Sequence, residues 1–157
     1  MKKMIVLLAA AIFAVLFLSA CHKKSVPRHA DLPKVLLKMK EAAENSELMD
    51  LTKDNLMPDY GINPDDVRQF AACLDSTGTK GDEIFLAEGI DEAAAGRIRE
   101  KLEQRYKQKQ TEMKDYLPKE YAVLKECGVK KDGEYVSLIV SPKHESLEKI
   151  YGSALGR

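Results

Sequence analysis

From Glu92 to Tyr116 the chain contains no proline and a single glycine, Gly96. Asp91 stands before this stretch as a helix-capping residue. Ala94, Ala95, Ile98, Leu102, Tyr106, Met113 and Leu117 then recur at steps of three and four. The pattern predicts one amphipathic helix, about 40 Å long at ~1.5 Å of rise per residue. Its other face carries Arg97, Arg99, Glu100, Lys101, Glu103, Arg105, Lys107 and Lys109, read as solvated surface rather than a binding strip. The stripe weakens at "KQKQTE", so the C-terminal half is expected to project past the core. A rod of this length needs a flat partner, and the segments on either side of it read as strands.

Before it, "DVRQFAACLDS" places Val67, Phe70, Ala72 and Leu74 in an imperfect alternation, and "TGTKGD" breaks the run. "EIFLAEG" follows, with Ile84 and Leu86 on one face and Phe85 and Ala87 on the other, giving an antiparallel pair. After it, Leu117-Pro118 interrupts, and "PKEYAVLKECG" restarts as a short helix with Pro118 in its first turn and Gly128 past its end. "GVKKDGEYVSLIVS" is a hairpin around Asp132-Gly133, with Val136, Leu138 and Val140 facing away from Tyr135, Ser137 and Ile139. Ser141 caps a last helix striped by Leu147, Ile150, Tyr151 and Ala154. Ahead of all this, "DLPKVLLKMKEAAE" from Asp31 reads as a helix with Pro33 in its first turn. Residues 45–66 read as irregular, with a short helical turn near Leu51–Leu56.

The order is a helix, then strand–strand–helix twice. This predicts an α+β fold: a small antiparallel sheet of about four strands, helices on one face, the other face wet. "GDEIFLAEGIDEAAAG" and "DGEYVSLIVSPKHESL" echo each other as turn, strand, cap and helix.

The chain opens Met1-Lys2-Lys3, and Met4 to Leu18 is apolar throughout. As a helix this run spans roughly 22 Å, short for a permanent transmembrane span. It fits a signal-peptide core, with an uncleaved anchor helix as the other reading. "LSAC" ends it in the lipobox pattern of Leu, two small residues and Cys. The Cys21 thiol then takes a diacylglyceryl group, whose two chains hold a protein stably at a membrane. Residues 1–20 are thus a lipoprotein signal peptide, 21–30 the lipidated cysteine and a linker, and 31–157 a single α+β domain. The expected location is the outer face of the cytoplasmic membrane. Lys23, Lys24 and Arg28 beside the anchor solubilise the tether or meet anionic headgroups.

The whole chain balances 25 basic against 25 acidic residues. With Lys2 and Lys3 removed, acids outnumber bases by two, which argues against a nucleic-acid partner. His22, His29 and His144 have no companions at metal-ligand spacing. No nucleophile elbow, phosphate loop or zinc-protease helix occurs. Asp59, Asn63, Asp65 and Asp66 read as turn formers and caps. Asp82-Glu83 is either an acid–base pair or a charged guard before an apolar strand. Cys73 and Cys127 read as two small buried hydrophobes on neighbouring strands, with a disulfide as the alternative. No catalytic residue, metal or cofactor is assigned. The favoured function is a non-catalytic module binding an envelope protein or peptide, through Tyr116, Pro118 and Tyr135 with Phe85 and Ser137 also outside the core. The alternative is an envelope hydrolase or transferase using carboxylates and tyrosines.

"YGINPDDV", a strand with "DEIFLAEG", a helix running into "YLPKEY", and "GEYVSLIVS" before a short helix occur in that order. In this the chain resembles a Gram-positive bacterial lipoprotein family catalogued as domain of unknown function four-three-five-eight. The resemblance spans about Leu51 to Leu155, and its landmarks are Tyr60-Gly61, Asp82-Glu83-Ile84, Tyr116 with Pro118, and Tyr135-Val136. It implies a fold and an anchored location, and it assigns no activity.

Overall fold

A computed structural model describes residues 29–157. The expected signal peptide, the Cys21 lipidation site, His22 and most of the expected linker lie outside the described residues. Helix α1, Leu32–Ala43, begins where the Asp31 carboxylate accepts the Lys34 amide proton and Pro33 occupies the first turn. Strand β1, Leu48–Asp50, and helix α2, Leu56–Tyr60, follow. Then come β2, Val67–Asp75, and β3, Glu83–Gly89. The long helix α3 runs over Glu92–Tyr116, capped by Asp91 accepting from the Ala94 amide at 2.7 Å. Helix α4, Pro118–Glu126, strands β4, Val129–Asp132, and β5, Tyr135–Val140, and helix α5, His144–Ala154, complete the order.

The strands form one antiparallel sheet in the order β1-β2-β3-β5-β4. The class, the N-terminal helix and both strand–strand–helix units are as the sequence predicts. The sheet has a fifth strand: β1 lies in the stretch read as irregular and pairs Leu48, Met49 and Asp50 with Asp75, Leu74 and Cys73. Three residues are too few for a period-2 signal, and the partner is more than twenty residues away.

Helices cover both faces, not one. On the first, α2, α3 and α4 pack on Ala72, Phe85, Ala87, Val136, Leu138 and Val140. On the second, α1 and α5 pack on Ala71, Cys73, Ile84, Leu86 and Ile139. Antiparallel strands usually leave one face to water, but β3 is buried along its whole length here. Each large apolar side chain fully enclosed this way contributes about 1.5–3 kcal/mol. The uneven alternation in β2 has a local cause. A bulge between Val67 and Gln69 takes up Arg68, and this returns Val67 to the same face as Phe70 and Ala72.

Gly89 permits the sharp passage from β3 into α3. A Cβ there would stand 2.6 Å from the Ala95 nitrogen, a distance no side chain tolerates. The two echoing segments do not form a structural repeat, because α3 and α5 pack on opposite faces. Nor does α3 leave the core at "KQKQTE". Lys109 and Met113 are both buried, and Met113 lies over Gly81.

Candidate functional site

Strand β3 carries a carboxylate near each end, and the pleat sends them to opposite faces. Glu83 faces α3. Its side chain is fully enclosed, accepting from the Tyr60 hydroxyl at 2.8 Å and from Lys109 Nζ at 2.5 Å. Arg105 Nε stands 3.6 Å away, and its guanidinium lies over the Tyr60 ring. Burial opposes charge on Glu83, yet Lys109 and Arg105, with the bonds from Lys109 and Tyr60, hold its carboxyl below the ordinary range. Burial and the neighbouring Glu83 push the Tyr60 hydroxyl far up, so it stays a donor. The sequence pattern puts Arg105 and Lys109 on the solvated face, but Lys109 is inside. An ionised carboxylate in the core requires nearby opposite charge and hydrogen bonds, and α3 supplies Lys109 as a bonded partner and Arg105 as a second charge.

Glu88 faces the other side, at the start of the described chain. It accepts from Gln69 Nε2 at 2.6 Å, from Arg68 at 2.5 Å and contacts His29 Nδ1 at 2.7 Å. Burial raises its pKa, and the bonds from Gln69, Arg68 and His29 outweigh that, so its carboxyl sits below the usual value. The same side chains hold the backbone that leads out of the domain. Gln69 donates to the Ala30 carbonyl at 2.7 Å and accepts from the Leu32 amide at 3.2 Å. The Tyr135 hydroxyl accepts from the Ala30 amide at 3.1 Å. Residues 29 and 30, expected to belong to a loose linker, are therefore fixed to the sheet.

The aromatic residues singled out from sequence do not converge. Tyr116 is exposed as the last residue of α3, with Pro118 exposed beside it. Tyr135 pairs with Glu88 at the opposite end of the sheet and points to the α1–α5 side. Phe85 and Ser137 are buried, against the expectation that they lie outside the core. The covering helices account for both. Among the remaining readings, Asn63 and Asp91 do serve as caps. Asp82 is buried beside Ser141, Glu120 and Lys80, and burial raises its carboxyl pKa.

Cys73 and Cys127 are free thiols. Cys73 belongs to the α1–α5 core and Cys127, at the end of α4 rather than on a strand, packs against the other one. The sheet separates them, which explains the absence of a bridge. Burial pushes the Cys73 thiol up to about 12, so it stays protonated and inert.

Arg68, Gln69 and Glu88 have no role legible in the sequence, and Lys109 reads there as solvated surface. One signal was present for Lys109: it stands four residues before Met113 and seven after Leu102, in register with the apolar stripe.

A family model described as domain of unknown function (DUF4358) matches residues 41–141 of the 157-residue chain. No curated protein and no solved structure matches it.

Proposed function

The chain belongs to the DUF4358 family, and we propose that it is an extracytoplasmic binding module held at the outer face of the cytoplasmic membrane by a diacylglyceryl group on Cys21. The apolar run, the Lys pair and "LSAC" support the anchor. The observation that carries the reading is the fixed attachment of His29 and Ala30 to Glu88, Gln69 and Tyr135. A surface tether is useful when the domain end it reaches is firm. Extended at about 3.5 Å per residue, the stretch from Cys21 to His29 reaches about 28 Å, so the domain stays close to the bilayer. Binding is favoured over turnover because the paired carboxylate and tyrosine, Glu83 and Tyr60, are buried and consumed by each other and by Lys109.

Metabolic labelling with a fatty acid, followed by membrane fractionation, tests the anchor. Wild type should carry label, partition into detergent and have the mass of a chain cleaved before Cys21. Cys21→Ala should remain an unlabelled, unprocessed precursor. Equal mass and equal partitioning of the two proteins would contradict the anchor.

A further inference from the structure

Between the β4–β5 hairpin and the C-terminal half of α5 lies a cavity of about 160 Å³. The register places Lys130 opposite Ser137 and Asp132 opposite Tyr135, so all four side chains share the face turned toward α5. From α5 come Glu148, Tyr151 and Gly152. Tyr151 is more than nine-tenths buried, and its hydroxyl makes no well-formed hydrogen bond, having only the Ser137 hydroxyl close enough to interact weakly with it. An enclosed hydroxyl so weakly paired has bonding capacity left for a group that enters the cavity. Ser137 and Tyr135 are its neighbours, and burial keeps both tyrosine hydroxyls protonated. The wall has a gap as well. A Cβ on Gly152 would meet nothing within 4 Å, so this position on the helix leaves the space open.

The charges around the opening select the kind of ligand. Lys130 pairs with Glu148 at 2.6 Å, Arg157 pairs with Asp132, and Lys131, the third cation of the lining, pairs with Glu92 at 3.3 Å. These cations are already satisfied, the Glu88 carboxylate lies behind Tyr135, and the carbonyl end of α5 is close by. An anion would find no surplus of positive charge. An apolar ligand would leave that capacity of the Tyr151 hydroxyl unused. The volume holds about five waters at ~30 Å³ each, or one six-membered sugar ring. Ring hydroxyls donate and accept at once, as this floor of hydroxyls and rim of ion pairs requires. We infer that the cavity bounded by Tyr135, Ser137, Tyr151 and Gly152 binds a neutral, hydroxyl-rich ring, a monosaccharide unit or a polyol of that size. This names the ligand class of the binding module proposed above, and it rests on that reading for its setting at the envelope alone.

The test is saturation-transfer NMR of glucose and of N-acetylglucosamine with the full chain in a polyoxyethylene detergent, which contains no sugar. At least one of the two should receive saturation from wild type. Gly152→Leu fills the open space and replaces a helical glycine, so it should melt no lower than wild type and abolish the transfer. Tyr151→Phe keeps the ring, should keep the fold, and should weaken binding roughly tenfold. Cys21→Ala should bind as wild type does, so that failure of the anchor and failure of the sugar site are separate results. Transfer to neither sugar overturns the inference, as does transfer that Gly152→Leu leaves intact. Broadening of the phosphorus line of inorganic phosphate that Gly152→Leu removes, without any sugar response, would overturn the choice of a neutral ligand.

Discussion

The two ends of β3 solve the same problem in different ways. Glu83 and Glu88 are both fully buried carboxylates on one strand, six positions apart counting both, facing opposite layers. Glu83 takes its partners from α2 and α3, deep in the core, with Lys109 itself enclosed. Glu88 takes its partners from a bulge and from the first described residues, where Arg68 is 38% and His29 59% exposed. The first arrangement locks a helix onto the sheet. The second locks the start of the domain, next to the expected tether. A buried carboxylate is thus a core fastener where its cations are buried, and a margin fastener where they reach water.

The largest predicted effect breaks the core side of this comparison. Lys109→Ala leaves Glu83 buried without its closest cation, and should cost about 3–5 kcal/mol of unfolding free energy. Lys107→Ala, exposed two residues away, should stay within about 0.5 kcal/mol in the same urea titration. Similar losses for the two would return Lys109 to the surface.

Acid sharpens the difference next. The folded-state pKa of Glu83 lies below its ordinary 4.5, so its charge stabilises the fold fully above that value. That contribution disappears as pH falls from there through the lower folded value. Melting temperatures taken from about pH 6 down to about pH 3 should fall less steeply for Glu83→Gln than for wild type. Parallel curves would mean that the Glu83 pKa is not depressed in the fold.

The margin side should give a smaller and more local effect. Glu88→Gln weakens the charge-assisted bonds from Arg68 and His29 while retaining the shape, at roughly 1–2 kcal/mol. Amide exchange should rise first at Ala30 and Leu32, whose donors end on Tyr135 and Gln69. Exchange rising equally across β3 would place Glu88 in the core-fastening class instead.

Much of the fold was legible because it is local. The stripe of α1, the Asp91 cap, the Pro118 restart and the β4–β5 hairpin are each written within a dozen residues. The rest depended on what lies across the sheet. Ile84, Leu86, Phe85 and Ala87 show that both faces of β3 are apolar, yet no local pattern says that α1 and α5 cover the second. For the same reason Tyr135 looked like an open aromatic anchor, while its hydroxyl actually holds the Ala30 amide. Lys109 is hidden by its charge: its spacing from Leu102 and Met113 fits the stripe, but a lysine reads as part of the solvated face. Gln69 and Arg68 carried no signal, since their roles arise from a bulge and from contacts with residues 29–32.

The most direct test of a charge pair at the heart of the α3 face is a double-mutant cycle on Glu83 and Lys109. Glu83→Gln, Lys109→Met and the combined variant would be unfolded in urea beside wild type. The account predicts that the double variant loses less than the two single losses added, by at least about 1 kcal/mol, because removing both partners leaves no unpaired charge inside. Losses that add to within about 0.3–0.5 kcal/mol would contradict it.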